Sequence, residues 1–301
     1  MRFISKKNIN LPKRDKSSKK GGNGRVLAIG GSQEYAGAVA LAGLAAMRSG
    51  CDWVTVAAPE KVGWAINALT PDLVVKKLKG DYFSSNHVDE VSNLSKRHDV
   101  ALIGNGIGLK EETKKFVKAV IKKIKSKLVI DADGIKILSS ADLEDSIITP
   151  HIKELEIFMN NSKISKKVIT SIVAEKDIER KALMIKKAIS LLGLRKSNNS
   201  NKTFFEYHNI VLLKGRIDAI ITKDKIYYNQ TGNAGMTKAG TGDVLAGLAA
   251  GFLAQSKDLQ QSAINAAYYN GLIGDILLKK KKGFTYLASD MVDEIKRVLK
   301  A

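Results

Sequence analysis

The stretch at residues 232–247 contains the residue types best suited to chemistry. It reads GNAGMTKAGTGDVLAG, so that glycines, Thr241 and Asp243 directly precede an apolar run. Glycine turns let the backbone approach a ligand closely, and the free N–H groups at a helix N-terminus attract anions. We therefore expect a phosphoryl group to bind over Gly240, Thr241 and Gly242, with the Asp243 carboxylate facing it.

Asp243 is a candidate general base, but it also has a plain structural explanation. An acid in the first helical turn caps the helix and complements its dipole, which contributes about 0.3 to 1 kcal/mol. The density of glycines, a threonine and an acid in front of one helix favours the catalytic interpretation. In that interpretation Asp243 takes the proton of a substrate hydroxyl in line with the phosphoryl group.

Acids and a histidine follow two of the predicted strands. Asp131 and Asp133 come directly after the apolar run 128–130, and His151 follows a strand that ends before Thr-Pro. Ligands of parallel sheets bind beyond the carboxyl ends of the strands, where these residues would lie. Asp131 and Asp133 are candidates for binding Mg²⁺ through water, although Asp133 could instead cap a short helix. His151 is a candidate site residue, with a simple helix start as the alternative.

Two other segments are predicted at the same edge of the sheet. The glycine turn at residues 104–108, GNGIG, is a candidate for ligand binding, although an ordinary strand-to-helix turn explains it almost equally well. Lys214, Gly215 and Arg216 end another predicted strand and would lie beside a nucleotide.

Strand and helix patterns alternate along the chain from residue 25. The patterns predict strands at 26–29, 53–58, 73–78, 100–103, 128–130, 147–148, 210–214, 218–221 and 226–228. They predict helices at 37–48, 60–69, 87–96, 111–125, 135–138, 153–159, 175–192, 243–254, 259–278 and 288–299, and an exposed polar loop or insertion at 195–207. Such alternation indicates parallel strands with right-handed crossovers. We expect an α/β fold of three layers, with a central, mostly parallel sheet and helices on both faces. Residues 1–20 are predicted to form a basic arm ahead of one domain at 21–301.

Composition narrows the functional classes. The chain has 50 Lys and Arg against 30 Asp and Glu, a formal net charge of +20, with only 6% aromatic residues. The lysines are spread along the chain without the interleaved aromatics that stack on bases, so we expect steering of anionic cofactors and no nucleic-acid binding. The single cysteine, Cys51, excludes a disulfide framework. An apolar run of roughly 18 residues and a signal peptide are both lacking, so we expect a cytoplasmic protein without a membrane partner.

The assembled motifs resemble those of the NAD(P)H-hydrate dehydratase family, a branch of the ribokinase-like superfamily. The resemblance spans about residues 20 to 300 and rests on blocks in one order: GGSQEYAGA at 30–38, LAAMRSG at 44–50, GNGIG at 104–108, DADGI at 131–135, ITPHIKE at 148–154, LLKG at 212–215, and the block at 232–247. Family members use a nucleotide phosphate to turn the ring hydroxyl of hydrated NADH or NADPH into a leaving group. The resemblance implies dehydration of (S)-NAD(P)HX with ADP and Mg²⁺, leaving AMP and phosphate, whereas eukaryotic members use ATP.

The resemblance also assigns site residues and partners. Positions that contact the hydrated dinucleotide correspond to Ala38, Gly106, His151 and Asp243. Positions that hold the nucleotide correspond to Lys214, Gly215, Arg216, Ile217, Asp218 and Gly242. A homotetramer is implied, and any epimerisation of the hydrate is expected from a separate epimerase.

The chain departs from the family's usual sequence at two places. The family usually has ATGGTGD where this chain has TKAGTGD at 237–243, and Pro-Gly where Ile152 and Lys153 follow His151. Lys238 thus adds a cation to the anion-binding turn. We expect it to contact the transferred phosphate or the 2′-phosphate of an NADPH-type substrate, with a solvent-facing lysine as the alternative.

Two other functions are weighed against the dehydratase. One is a small-molecule kinase of the same fold that acts on a vitamin precursor or a sugar. Sugar kinases of this fold generally carry an Asn-x-x-Glu magnesium motif, and no Asn in this chain has Glu three residues later. The other is a basic nucleic-acid-binding protein, which the scattered lysines disfavour.

Overall fold

The runs of Val, Ile and Leu assigned to strands form one sheet. The structure, a computed structural model, describes residues 1–190, 204, 206, 208–281 and 283–299. Within them the sheet has nine strands in the order β3-β2-β1-β4-β5-β6-β7-β8-β9. These are β1 (Arg25–Ile29), β2 (Trp53–Pro59), β3 (Val74–Leu78), β4 (Val100–Ile103), β5 (Lys127–Ile130), β6 (Ser146–Ile148), β7 (Ile210–Leu213), β8 (Asp218–Ile221) and β9 (Ile226–Asn229). Strands β1 to β7 are parallel, and β8 and β9 pair antiparallel, which confirms the mostly parallel sheet.

Helices cover both faces of the sheet. They are α1 (Ala36–Arg48), α2 (Glu60–Leu69), α3 (Val88–Ser95), α4 (Glu111–Lys123), α5 (Asp133–Ile137), α6 (Ile152–Asn161), α7 (Lys166–Ala174), α8 (Ile178–Ser190), α9 (Thr241–Ser256), α10 (Leu259–Lys280) and α11 (Ala288–Val298). Val26 and Ala28 of β1 share a core with α1, α2, α9, α10 and α11, whereas Leu27 and Ile29 share a second core with α3 to α8. The expected three layers are therefore confirmed. No helix in the described ranges has the length and apolar character needed to cross a membrane.

Two helical predictions differ from the structure. Helix α7 was not predicted, and it forms because Ile169 and Ile172 are buried in the second core. The helix predicted to begin at residue 175 begins at Ile178 instead, since the Asp177 carboxylate accepts a hydrogen bond of 2.8 Å from the Arg180 N–H and caps it. The predicted end of that helix and most of the 195–207 segment fall outside the described residues.

The first residues of the chain contact strand β9, helix α10 and the residue before β2. Ile4 donates its N–H to the Tyr228 carbonyl of β9 at 2.8 Å, and Tyr228 donates to the Arg2 carbonyl at 2.9 Å. Farther along, the Asn10 carbonyl accepts a hydrogen bond of 2.8 Å from the Asn265 Nδ2 of α10, and Arg14 pairs with the Asp52 carboxylate. Residues 1–20 are thus attached to the fold at several points, and the predicted boundary at residue 20 stays a prediction.

Helices α1 and α9 approach each other through small residues. A Cβ atom at Gly247 would lie 2.2 Å from the Ala42 carbonyl oxygen, and one at Gly251 would lie 2.0 Å from the Ser49 Oγ. No larger side chain fits at either position without moving a helix backbone. This close packing holds α9 against α1 and so places the N-terminus of α9 at the carboxyl edge of the sheet.

The glycine contact between these helices predicts a stability difference. We expect Gly247→Ala to lower the free energy of unfolding by about 1 to 3 kcal/mol, because the added methyl group collides with α1. Gly37→Ala is the matched control, since a Cβ there meets no atom within 4 Å and replaces a helical glycine. That control should be neutral or stabilising by up to about 1 kcal/mol. Urea titrations of both variants make the test, and equal effects would contradict the packing argument.

Candidate active site

The turn before α9 requires a glycine at position 240. This residue has φ +92°, and a Cβ there would lie 2.7 Å from the Ala288 Cβ. Thr241, the first residue of α9, donates its hydroxyl to the carbonyl oxygens of Met236 (2.7 Å) and Lys238 (3.0 Å), so this side chain stabilises the turn itself. The helix begins two residues earlier than predicted, and the N–H groups of its first turn have no partner within the helix.

The Asp243 carboxylate, in that first turn of α9, is held by a side-chain amide from the turn after β4. Asn105, in the turn after β4, donates from Nδ2 to the Asp243 Oδ1 at 2.7 Å and to the Asp131 Oδ2 at 3.0 Å. Asn105 is buried, and its amide oxygen has no hydrogen-bond partner among the described residues. An ionised carboxylate is an acceptor only, so the NH₂ side of this amide faces the two acids when both are ionised.

Asp131 connects Asn105 and Asp243 to residues that follow strands β6 and β7. Its Oδ1 accepts hydrogen bonds from the Thr149 hydroxyl at 2.7 Å and the Lys214 Nζ at 2.9 Å, and Lys214 lies 3.6 Å from the Glu154 Oε2. Burial lowers the pKa of Lys214, but the negative charges of Asp131 and Glu154 raise it by more, so its net pKa is raised. The ammonium therefore stays charged at neutral pH.

The pKa of Asp243 is raised from 3.8 to about 7. Burial is the largest cause, and the negative charge of Asp131 adds to it, whereas the Asn105 hydrogen bond and the Lys214 charge act in the opposite direction. A general base works best when its pKa lies near the pH of the reaction. The carboxylate is thus suited to accept a proton at neutral pH.

The residues predicted to contact the dinucleotide lie around this cluster. Gly106 directly follows Asn105, with φ +64°, and a Cβ there would lie 3.1 Å from the Ala38 Cβ of α1. His151 caps α6, since its Nδ1 accepts from the N–H groups of Lys153 (3.2 Å) and Glu154 (3.3 Å). Its Nε2 lies 3.4 Å from the Glu154 Oε1, and the side chain is half exposed. The helix-start explanation for His151 therefore holds, and its contact with substrate stays a prediction.

The two segments predicted to hold a nucleotide meet at Lys214. A Cβ at Gly242 would lie 3.4 Å from the Lys214 Nζ. Asp218 closes the turn after β7, because its carboxylate accepts from the Gly215 N–H and from the Asn229 Nδ2, each at 3.0 Å. Burial is the main reason that the pKa of Asp218 is raised to about 6. Arg216 is exposed and Ile217 packs against the core, and nucleotide contacts by this segment stay predictions.

The acids considered for Mg²⁺ are bonded within the protein. Asp133 accepts from the Gly108 N–H at 3.0 Å and from the Lys136 Nζ at 2.9 Å, while Asp131 is held as described above. Across the described residues, no three His, Cys, Asp or Glu side chains are grouped to hold a metal. This donor set does not fit direct coordination of a resident Mg²⁺, and a role through water stays a prediction.

Lys238 is tied to a neighbouring segment. Its ammonium donates to the Tyr286 carbonyl at 2.8 Å and to the Phe284 carbonyl, and it lies 5.4 Å from the centre of the Tyr286 ring. In this arrangement Lys238 connects the turn before α9 to the segment before α11. The predicted contact of Lys238 with a phosphate stays a prediction.

Three side chains of the cluster were not singled out from the sequence as site residues. They are Asn105, Thr149 and Glu154, and each lies inside one of the motif blocks, GNGIG or ITPHIKE. The only sequence signal for them is the position of polar residues directly after apolar strands. It places them at the correct edge of the sheet but does not show which of them touch.

A family model described as NAD(P)H-hydrate dehydratase matches residues 26–297. The chain belongs to the NAD(P)H-hydrate dehydratase family. This confirms the membership predicted from the motif blocks. The chain is 30% identical to the ADP-dependent (S)-NAD(P)H-hydrate dehydratase of Cenarchaeum symbiosum (strain A), over 96% of this chain and 93% of that protein.

Longer relatives and a solved structure are also similar to this member of the dehydratase family. The chain is 37% identical to the bifunctional NAD(P)H-hydrate repair enzyme Nnr of Methanothermobacter thermautotrophicus, over 97% of this chain but 52% of that protein. It thus spans about half the length of its bifunctional relatives. A ribokinase-like superfamily protein of Enterococcus faecalis V583 matches with a TM-score of 0.78 and 25% identity, over 99% of this chain and 94% of that one. The predicted ribokinase-like fold is confirmed.

The raised pKa of Asp243 predicts that Asp243→Asn stabilises the folded protein by an amount that depends on pH. The folded protein keeps this proton up to about pH 7, whereas the same carboxyl in the unfolded chain has its ordinary pKa of 3.8. The contribution of this group to stability is therefore present below about pH 4 and is lost as the pH rises to about 7. We expect the variant to be more stable than the wild type above about pH 7. The difference should shrink as the pH falls towards about 4.

Thermal or urea unfolding of both proteins between pH 4 and pH 8 measures this difference, with pH 4 as the internal control. A difference that does not change across this range would contradict the raised pKa.

Proposed function

We propose that this protein dehydrates (S)-NAD(P)HX to NAD(P)H, with ADP converted to AMP and phosphate. The observation that carries the proposal is the partly buried Asp243 carboxylate, with its pKa raised to about 7, at the glycine turn where α9 begins. Family membership supports the substrate class. The relative from Cenarchaeum symbiosum (strain A), aligned over 93% of its length, is named ADP-dependent, which supports ADP as the nucleotide.

Asp243 is the proposed base of a phosphoryl transfer. It accepts the proton of the ring hydroxyl as the hydroxyl oxygen forms a bond to the terminal phosphorus of ADP. The bond between that phosphorus and the bridging oxygen breaks, and AMP leaves. Loss of the new phosphate group from the ring, together with a ring proton, restores the double bond.

The neighbouring groups are proposed to bind and orient the reactants. Lys214 and the first turn of α9 place positive charge on either side of Gly242, where they stabilise negative charge on the phosphoryl group. Ala38, Gly106 and His151 are assigned to the dinucleotide, as the resemblance implies. Mg²⁺ would enter the site together with the phosphates of the nucleotide, because the acids of the site already accept hydrogen bonds from other protein groups.

Assembly and partners are proposed on the same resemblance. The resemblance leads us to propose a homotetramer and a separate epimerase that acts on the same hydrate, and the sequence leads us to propose a cytoplasmic location. The bifunctional relatives are about twice as long as the matched segment and are named NAD(P)H-hydrate repair enzymes, which supports a link between the dehydration and a second repair activity.

The mechanism predicts that Asp243→Asn loses turnover. The rate should fall by about 10² to 10⁴, because the variant lacks the base, while hydrate binding should persist. The measurement is recovery of reduced-nicotinamide absorbance from the NADH hydrate with ADP, ATP or neither. Glu112→Gln is a matched control, since it neutralises an exposed acid of α4 outside the site, and it should keep full activity.

Two outcomes would contradict this account. Full activity in Asp243→Asn would exclude the mechanism even within the dehydratase family. Absence of nucleotide-dependent recovery by the wild type, together with phosphorylation of a free hydroxyl on a vitamin precursor or sugar, would favour the kinase alternative.

A further inference from the structure

A cleft of about 530 Å³ opens at the amino ends of strands β1 to β3, on the opposite side of the sheet from the candidate active site. The strand starts at Arg25, Trp53 and Val74 line one side of it, and the α3–β4 connection lines another. The path from the start to the end of β1 is roughly 13 Å at about 3.3 Å per residue. The cleft is therefore separated from the candidate active site, which lies beyond the carboxyl ends of the strands.

The cleft has an excess of positive charge. Lys20, Arg25 and Arg97 line it, and none of the three forms an ion pair with a described residue. Lys76 also lines the cleft, but it pairs with Glu90 at 2.5 Å. Three cations without an acidic partner among the described residues around one cavity favour the approach of an anion.

The nearby acids are already engaged. Asp52 accepts hydrogen bonds from the Gly21 and Asn23 N–H groups and pairs with Arg14. Asp99 accepts from the backbone N–H of Arg25 at 2.8 Å and pairs with the Lys257 Nζ at 2.6 Å. These two acids are therefore committed to other contacts, which leaves the three lining cations able to attract an anion from solution.

Much of the remaining lining of the cleft is apolar, and its one indole ring is held by hydrogen bonds. Trp53 lies in it beside Val74, Val75 and Leu94. The Trp53 Nε1 donates to the Thr55 Oγ1 at 2.9 Å, and that oxygen lies 2.9 Å from the His98 Nε2. The other His98 ring nitrogen lies 2.9 Å from the Leu94 carbonyl, so the indole is held by a chain of hydrogen bonds that reaches α3.

The Lys20 ammonium brings positive charge next to the apolar surface of the Trp53 ring. The Lys20 Nζ lies 4.7 Å from the centre of the Trp53 ring. An anionic group bound by Lys20 would therefore lie next to a flat apolar surface. A ligand with a phosphate and a planar ring would satisfy both at once, and the cavity volume lies in the range of about 300 to 1,000 Å³ typical of small-molecule sites.

We propose that this cleft binds a small organic phosphate of the nucleoside phosphate class, at a site separate from the active site. The phosphate pairs with Lys20, Arg25 and Arg97, and the ring lies against Trp53 and the neighbouring valines. The proposal does not depend on the dehydratase reaction.

Fluorescence of Trp53 provides a direct test. The chain has two tryptophans, so Trp64→Phe leaves Trp53 as the only tryptophan. In that background, AMP should change the fluorescence in a saturable way, and inorganic pyrophosphate should compete with it. Adding Arg25→Gln and Arg97→Gln should raise the Kd for AMP by at least about tenfold, because two charge-assisted contacts are lost.

A matched pair of substitutions controls for net charge. Lys96→Gln with Lys122→Gln removes the same two charges from exposed positions outside the cleft lining, and it should leave the Kd unchanged. No saturable change with AMP, or equal weakening by both pairs, would overturn the proposal. Displacement of AMP by a DNA or RNA oligonucleotide with submicromolar, sequence-preferring affinity would also overturn it, in favour of a nucleic-acid site.

The same background separates this proposal from the dehydratase proposal. Asp243→Asn should leave the Trp53 response to AMP unchanged, because the substitution lies at the other edge of the sheet. A lost response in Asp243→Asn would place the AMP site at the active site and overturn the proposal. A retained response in a protein that fails to dehydrate the hydrate would contradict only the proposed reaction.

Discussion

The candidate active site depends on an imbalance of charge at the carboxyl ends of the strands. Lys214 bonds to Asp131 at 2.9 Å and lies 3.6 Å from Glu154, whereas Asp243 is held by the neutral amide of Asn105. In the described cluster, three carboxylates thus share one ammonium. Because Asp243 lacks a direct ion pair and is partly buried beside Asp131, its proton is retained to about pH 7. A direct lysine partner would instead lower its pKa and weaken it as a base.

The fold supplies this imbalance through two constraints. Parallel pairing brings the ends of β4 to β7 to one edge, which places Asn105, Asp131 and Lys214 side by side. Close packing of Gly247 and Gly251 against α1 then sets how near α9 comes to that edge. The acid of α9 and the amide after β4 meet only because both constraints hold.

The sequence was sufficient for the layered fold and for the edge at which the site lies. Strong apolar runs separated by glycine turns leave few alternatives to a parallel α/β sheet. Helix α7 could not be predicted as readily, because its β-branched residues, such as Val168 and Ile169, disfavour a helix and only burial in the second core compensates for this.

The contacts within the site were beyond sequence reasoning for a different reason. Asn105 lies 26 residues from Asp131 and 138 residues from Asp243, so their meeting depends on strand order and helix packing rather than on local pattern. Lys214 illustrates the same limit, since its ammonium donates to Asp131, which lies 83 residues earlier in the chain. Motif blocks identify the neighbourhood of such residues, whereas the direction of each side chain follows from the packed structure.

The most direct test of this account is a ¹³C NMR titration of the Asp243 carboxyl carbon. Aspartate labelled at that carbon gives the signal, and Asp243→Asn assigns it by its disappearance. The account predicts an apparent pKa of about 7 in the wild type and a higher value in Asn105→Ala, since that variant lacks the hydrogen bond that lowers it. Titration of Asp243 near its ordinary value of 3.8, or no change in Asn105→Ala, would contradict the central claim.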